Sequence, residues 1–203
     1  MFDFDPLLED SSDLGIDEND TVLFVVYKQA TYGHGIHGIA VDKQHATFLA
    51  NHGARYDSGN YKSYDIYTVP LNKLPKFSVN YMRDFGWMNA EPILSIPRLK
   101  GKPEDFETNT PINQTLSLFV VYKQGHCGQG VHGMSKELDI AKAMADASAD
   151  RDGDDYHSYD IYEIKVNGMP ERLNDRDADD LGWMNNSPVY TKKKDVIPAE
   201  VSL

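Results

Sequence analysis

Two glycine-rich segments carry the residue types in this chain that are best suited to chemistry. GHGIHG spans residues 33–38 and GQGVHG spans residues 128–133. Both match G-x-G-x-x-G, the pattern in which backbone N–H groups approach the pyrophosphate of a dinucleotide at the start of a helix. A lysine before each segment and a histidine inside it could supply positive charge to a bound phosphate. These side chains are Lys28, Lys123, His37 and His132.

Three details argue against a dinucleotide site. Three residues separate Gln29, at the end of a strand-like run, from Gly33, so the first glycine does not stand at the tip of the strand. The repeated unit is shorter than a mononucleotide-binding half with its crossover. The acids Asp57 and Asp152 precede the strand that follows the helix instead of ending it. We therefore predict a tight glycine-rich hairpin or a β-bulge, with a phosphate ligand as the alternative.

Metal binding and nucleophilic catalysis find little support in the sequence. His37 and His132 occupy equivalent places, and one histidine in each segment is too few for a zinc site. The acidic run at residues 150–155 lacks the glycine and glutamate spacing of a calcium-binding EF-hand loop. Cys127 is the single cysteine, and Tyr32 stands at its equivalent position. We predict no catalytic residue, no metal and no cofactor, and we favour a binding role over an enzymatic one.

The two segments belong to a tandem duplication. Residues 22–83 align with residues 117–178 at a constant offset of 95 and without a gap. After one inserted residue, DFGWMN at residues 84–89 matches DLGWMN at residues 180–185. A chain with an internal repeat must be interpreted one repeat at a time. The protein is therefore two copies of one module.

The patterns within one copy predict a small β-β-α-β module. LFVVYKQ is a β-branched and aromatic run typical of a buried strand, and residues 36–39 predict a short strand that returns along it. Alanines at helical spacing predict a helix packed closely on the sheet. SYDIYTV and SYDIYEI predict a third strand, and GWMN predicts a terminal turn of helix. We therefore predict an α+β fold, duplicated in tandem, in which each sheet carries one main packed helix.

Composition divides the chain into five parts. Residues 1–21 hold eight acidic and no basic residues, which is typical of a flexible interaction arm. The module copies are predicted at residues 22–94 and 117–190, with a polar, Pro-containing linker at residues 95–116 and a tail at residues 191–203. The net charge of −12 disfavours broad contact with nucleic-acid phosphates and favours basic protein partners.

Location is predicted from the absence of hydrophobic targeting signals. No run in the sequence approaches the ~20 apolar residues that cross a bilayer. Acids stand near the N-terminus, where a signal peptide has basic residues. A single cysteine excludes an internal disulfide. We predict a cytoplasmic protein without a membrane partner.

Polar and aromatic side chains retained in both copies are the candidate binding residues. Buried polar groups need partners, so a Lys–Asp pair, or an aspartate bonded to loop amides, could simply stabilise the module. The other interpretation is a shared surface pocket formed by the strand end, the histidine loop and a tryptophan. The candidates are Lys28, Gln29, His37, Asp65, Trp87, Lys123, Gln124, His132, Asp160 and Trp183.

The pattern VVY…G-(I/V)-x-G…A-x-x-x-A…Y-D-I-Y-x-(V/I) resembles a small α/β module of unknown function seen mainly in bacteriophage proteins. The resemblance covers the larger part of each copy and implies a phage or mobile-element origin, hence a location in the host cytoplasm. With the duplication and the acidic arm, it favours a non-enzymatic binding or inhibitor protein that engages a host or viral protein, with nucleic-acid mimicry as one variant. The alternatives are a site for a nucleotide or phosphorylated small molecule at the Gly/His loops, and a virion structural component.

Overall fold

Two modules with the same order of elements make up the described part of the chain. Each has two strands, a helix, a third strand, a 3-10 helix and a short fourth strand. This confirms the predicted duplication of an α+β module. The computed structural model describes residues 20–30, 34–57, 61–76, 84–98, 116–125, 128–152, 156–170 and 180–194.

The boundaries of the elements are closely matched between the copies. Module one contains β1 Val22–Ala30, β2 Gly35–Ala40, α1 Lys43–Tyr56, β3 Tyr61–Pro70, the 3-10 helix Gly86–Asn89 and β4 Leu94–Pro97. Module two contains β5 Ser117–Gln124, β6 Gly130–Ser135, α2 Leu138–Asp152, β7 Ser158–Lys165, the 3-10 helix Gly182–Asn185 and β8 Tyr190–Lys193.

Each module forms a four-stranded antiparallel sheet, in the orders β2-β1-β3-β4 and β6-β5-β7-β8. The strand β1 is buried on both faces because successive side chains point to opposite sides of the sheet. Val26 joins the core beneath α1, whereas Val25 and Tyr27 join a core shared with the other module. A strand buried on both faces needs a continuous apolar run, which is the pattern of LFVVY.

One helix covers the outer face of each sheet. α1 follows Asp42, whose side chain accepts a hydrogen bond from the backbone N–H of His45 at 2.8 Å and so caps the helix. Small residues on the buried stripe allow close packing, since a Cβ atom on Gly53 would overlap the ring of Tyr64. In α2 the stripe includes Ala141, Ala145 and Ala149.

The two sheets pack face to face, with the helices outside and a shared core between the modules. This core includes both tryptophans and strand residues from both copies. Within it the phenol oxygens of Tyr27 and Tyr122 lie 2.8 Å apart and form a hydrogen bond. These two residues are equivalent in the duplication, so they mark a pseudo-twofold axis between the modules. Burial of apolar surface therefore holds the modules together as well as folding each one.

Each module also reaches across to the other through its DFGWMN or DLGWMN segment. We call residues 84–89 the first clasp and residues 180–185 the second clasp. Gly86 lies against the carbonyl of Val131, and Gly182 lies against the carbonyl of Ile36. A Cβ atom at either glycine would overlap that carbonyl oxygen, and both glycines have positive φ angles of 62° and 63°. Glycine is required at these positions because only it combines this backbone conformation with so close an approach.

Two turns add matching backbone hydrogen bonds between the modules. Asn72, after β3, donates its N–H to the carbonyl of Met134 at 2.8 Å. Asn167, after β7, donates to the carbonyl of Ile39 at 2.7 Å. Both asparagines have positive φ angles, a conformation that asparagine tolerates better than most side chains. The clasps and these turns make the interface reciprocal.

The fourth strand of each sheet is an addition to the predicted module. β4 crosses the predicted boundary at residue 94, and β8 crosses the boundary at residue 190. LSIP and YTKK have only four residues each, and Pro97 lacks an N–H group for a ladder hydrogen bond. Such segments gain strand structure by pairing with β3 and β7 at the sheet edge, so their own sequences carry little strand signal.

Candidate functional site

Two buried polar clusters gather the lysines and histidines that the copies share. The first cluster consists of Lys28, His37, Asp57 and Tyr64, with Asp180 of the second clasp beside them. The second cluster has the equivalent residues Lys123, His132, Asp152 and Tyr159, with Asp84 of the first clasp beside them. Each cluster therefore draws its residues from both modules.

Ion pairs hold the lysines inside the clusters. Lys123 Nζ lies 2.7 Å from Asp152 Oδ2, and both side chains are fully buried. Lys28 Nζ lies 2.7 Å from Asp57 Oδ2 and donates a second bond, of 3.3 Å, to the backbone carbonyl of Asp180. A buried ammonium group requires such partners, because its hydration has been lost. Both lysines therefore stabilise the fold through these ion pairs.

The tyrosines complete the two ion pairs. Tyr64 donates its hydroxyl hydrogen to Asp57 at 2.8 Å, and Tyr159 donates to Asp152 at 2.9 Å. Burial, followed by the charge of the neighbouring aspartate, raises the pKa of both tyrosines well above the usual value. Both hydroxyls therefore remain protonated and act as donors at physiological pH.

A β-bulge places each histidine in its cluster. In β2 the register passes from Val26 opposite Gly38 to Tyr27 opposite Ile36, so His37 is an extra residue in the ladder. The same irregularity occurs at His132 in β6. The sequence suggested either a tight hairpin or a bulge for these glycine-rich segments, and a bulge is present.

Burial keeps both histidines neutral near pH 7. Desolvation lowers the pKa of His37 to about 4, with the positive charge of Lys28 adding to the effect and the negative charge of Asp180 opposing it. Desolvation also lowers the pKa of His132 to about 3, again with a contribution from its lysine, Lys123. A neutral imidazole beside a paired lysine offers little net positive charge to an anion.

Acidification is expected to destabilise the protein through these histidines. A histidine whose pKa is lower in the folded state binds more protons when the protein unfolds. The free energy of unfolding therefore has its full value above pH 6.5 and falls as the pH drops toward the folded-state pKa values. We expect a loss of about 2 kcal/mol per histidine between pH 7 and pH 5. Urea unfolding at several pH values measures it. The double variant His37→Gln/His132→Gln should show a flatter profile, and equal slopes in both proteins would contradict the assignment.

The clasp aspartates bond to loop amides, as one interpretation of the sequence had suggested. Asp84 Oδ1 accepts hydrogen bonds from the N–H of Gly86 at 2.9 Å and from Asn89 Nδ2 at 2.7 Å. Asp180 makes the same two bonds, at 2.9 Å and 2.7 Å, within the second clasp. This arrangement fixes the turn that presents each clasp glycine to the other module.

The remaining shared candidates lie away from the lysines and histidines. Asp65 accepts a hydrogen bond from Ser95 on the neighbouring strand, and Tyr67 donates to it at 3.5 Å. Asp160 is equally placed in β7, where Tyr162 donates to it at 3.5 Å. Trp87 and Trp183 belong to the core between the modules. The structure therefore does not bring all ten candidates into one pocket.

Protein atoms fill the space around the glycine-rich segments. A Cβ atom on Gly35 would overlap the backbone carbonyl of Leu181, and one on Gly38 would lie only 2.7 Å from a methyl carbon of Leu49. These glycines thus permit the second clasp and α1 to approach β2 closely. A phosphate would have to displace packed groups and would meet lysines that are already paired.

An open cleft lies at one end of the pseudo-twofold axis, where the end of β1 meets the start of β6 and the first clasp. Its volume is about 400 Å³. Of the ten candidate residues, Gln29 lines this cleft. None of its described lining residues is Lys, Arg, Asp or Glu. We call it the seam cleft, and it is lined by Tyr27, Gln29, Ala30, His34, Phe85, Met88, Gly128 and Gln129.

Some polar groups of the seam cleft are already used, and others are open. Gln29 Nε2 donates to the hydroxyl of Tyr67 at 3.2 Å, and Oε1 of Gln29 has no partner among the described residues. His34 Nε2 bonds to Oε1 of Gln129, whose Nε2 donates to the carbonyl of Gly125 at 3.1 Å. Because an amide oxygen only accepts, His34 is the donor and its Nδ1 faces no described donor.

Sequence reasoning missed most of the seam cleft because it searched for residues shared by both copies. His34 and Gln129 occupy equivalent positions but differ in type, as do Phe85 and Leu181. The sequence signal for the seam cleft was a difference in residue type between the two copies at positions where the surrounding module is retained. The pairing of His34 with Gln129 across the axis could be found only in three dimensions.

A second cleft, of about 480 Å³, contains Trp183 and the ends of β5 and β7. Within the described ranges, no group of three or more His, Cys, Asp or Glu side chains is placed to hold a metal ion. The same residues contain no helix long and apolar enough to cross a membrane. Cys127 and residues 153–155 of the acidic run lie outside the described residues.

Comparison with protein-family models, curated proteins and solved structures gave no match to this chain. Function must therefore be argued from the clusters and the seam cleft.

Proposed function

We propose that this chain is a non-enzymatic binding protein that engages a protein partner at the seam cleft. The observation that carries the proposal is the contrast between the two kinds of polar site. The shared lysines are buried in ion pairs within the module frame, whereas the seam cleft opens to solvent with Gln29 Oε1 unused among the described residues. Open clefts that combine apolar walls with a few polar groups are the usual places for recognition.

Divergence between the copies supports the same site. The lining residues Tyr27, Gln29, Met88 and Gly128 have identical equivalents in the other copy, but the remaining lining residues differ from theirs. Ala30 corresponds to Gly125, His34 to Gln129 and Phe85 to Leu181. A duplicated frame with unequal loops produces an asymmetric surface at the axis, which suits a single asymmetric partner better than a symmetric one.

The phage-like module and the acidic arm narrow the class of partner. Resemblance to a bacteriophage module makes a bacterial or viral protein the expected partner, encountered in the host cytoplasm. Residues 1–21, of which the first nineteen lie outside the described residues, would favour a basic surface next to the bound segment. Neither residues 1–21 nor the phage origin is needed for the seam cleft itself to bind.

Site-specific photo-cross-linking tests the proposal. A photoreactive phenylalanine analogue at Phe85, which is 38% exposed, should form an adduct with one partner in bacterial cells that produce the full chain. The control is the same analogue at Val41, which is 49% exposed and follows β2, away from the residues that line the seam cleft.

The partner identified in this way must then bind the purified protein. Phe85→Asp should weaken that binding at least tenfold, since it places a charge in an uncharged cleft. Val41→Asp should bind as the wild type does, and thermal melting verifies that both variants are folded. Equal adducts at both positions, or no adduct at Phe85, would refute the proposed site.

A further inference from the structure

Three large apolar or aromatic residues line the seam cleft. They are Tyr27, Phe85 and Met88. Phe85 is 38% exposed although it is a large apolar residue, and Met88 brings a polarisable thioether next to it. Aromatic rings pack favourably on other rings and on methionine sulfur. An occupant with a planar apolar surface would therefore cover Phe85 and gain from the contact.

The described lining favours an uncharged occupant. None of these residues is acidic or a lysine or arginine, so a charged group would gain no ion pair from them when it lost its hydration. A volume of about 400 Å³ is near the lower end of the range of about 300–1,000 Å³ typical of small-molecule sites. The seam cleft therefore fits one large uncharged side chain and is too small for a folded element.

Gln29 offers the cleft an open acceptor. Its Nε2 donates one hydrogen to Tyr67, and its Oε1 has no partner among the described residues. An occupant that carries an N–H or O–H donor at the edge of its ring can therefore bond to Gln29 Oε1.

We propose that the seam cleft receives a tryptophan side chain of the protein partner, with the ring against Phe85 and Met88 and the indole N–H donated to Gln29 Oε1. Indole combines the largest apolar ring among the side chains with one N–H donor, which suits the apolar lining residues and Gln29 Oε1 together. This inference rests on the proposed function and names the recognition element within it.

N-acetyltryptophanamide is the probe for the first test. Titrated into the ¹⁵N-labelled full chain, it should shift the amide signals of Ala30, Phe85 and Gln129, with a dissociation constant of about 0.1–1 mM. The matching amide of phenylalanine lacks the donor and should bind about tenfold more weakly. N-acetyltyrosinamide and adenosine, tested in the same way, represent the other ring-bearing donors.

The duplication offers a matched pair of variants. Gln29→Leu and Gln124→Leu both remove a glutamine that bonds to the tyrosine on the neighbouring strand, Tyr67 or Tyr162. Gln29 lines the seam cleft and Gln124 is not among its lining residues. Gln29→Leu should therefore weaken N-acetyltryptophanamide about tenfold, while Gln124→Leu leaves its affinity unchanged.

Three outcomes would overturn the inference. These are no signal shifts up to about 10 mM probe, an equal loss of affinity in both glutamine variants, or tighter binding of adenosine or N-acetyltyrosinamide than of the tryptophan amide. If a partner adduct forms at Phe85 while N-acetyltryptophanamide fails to bind, the tryptophan is excluded and the proposed function stands. Failure of both experiments removes the seam cleft as the recognition site.

Discussion

Replacing Lys123 by methionine is expected to lower the free energy of unfolding by about 3–5 kcal/mol. The replacement leaves Asp152, whose side chain is 0% exposed, as a buried charge with Tyr159 as its one remaining hydrogen-bond donor among the described residues. A loss of this size is a large fraction of the total stability of an ordinary domain. Urea unfolding at pH 7, followed by circular dichroism, measures it.

Two controls separate this effect from a general loss of charge. Lys142→Met removes an exposed pair with Asp139, at 3.3 Å and with the aspartate 94% exposed, and should change stability by less than about 1 kcal/mol. The double variant Lys123→Met/Asp152→Leu removes both buried charges and should recover at least half of the loss. If Lys123→Met behaved like Lys142→Met, the buried pair would contribute nothing that the fold needs.

Gly182→Ala is expected to open the interface between the modules and to cost about 2–5 kcal/mol. The added Cβ atom would overlap the carbonyl oxygen of Ile36 in the other module, and a φ angle of +63° is unfavourable for alanine. Because the second clasp lies on β2, the strain acts on the contact between modules and not on the core beneath either helix.

Cleavage of the linker provides the measurement for the clasp. A protease site inserted within residues 101–113 allows the covalent link between the two modules to be cut. Gel filtration then shows whether the fragments remain bound to each other. The wild-type fragments should co-elute, since the core between the sheets is shared. Gly182→Ala fragments should dissociate at a much higher protein concentration than the wild-type fragments do.

Leu49→Ala is the matched variant for that experiment. Leu49 lies on α1 and is buried in the core between that helix and the sheet of module one, so its truncation should cost about 2–5 kcal/mol without touching the second clasp. Its fragments should stay associated like those of the wild type. Dissociation of the Leu49→Ala fragments to the same degree would mean that the clasp has no specific part in holding the modules together.

Much of the fold could be predicted because its signals are local. The run LFVVYKQ, the alanines at helical spacing and the alternating SYDIY each indicate an element from a few neighbouring residues. Their repetition at an offset of 95 established that the same module occurs twice. β4 and β8 escaped prediction because edge pairing, and not their own composition, makes them strands.

The candidate site was only partly predictable because its partners are distant in the chain. The sequence identified Lys28 and His37 as candidates and suggested a Lys–Asp pair, but the shared acids among its candidates were Asp65 and Asp160. The actual partner of Lys28 is Asp57, at the end of α1, because the helix returns its C-terminal end to the end of β1. Local patterns do not encode such a return path.

The sequence by itself determined the class of module, its duplication and the apolar faces of its elements, since these follow from periodicity within each segment. Only the tertiary structure decided what the glycine-rich segments are for. Within GHGIHG and GQGVHG, the described glycines allow the clasps and the helices to approach closely. The bulge places His37 and His132 inside the protein, where burial keeps both neutral. The tertiary structure also formed the seam cleft, because Gln29, Phe85 and Gln129 meet only when two sheets pack about a common axis.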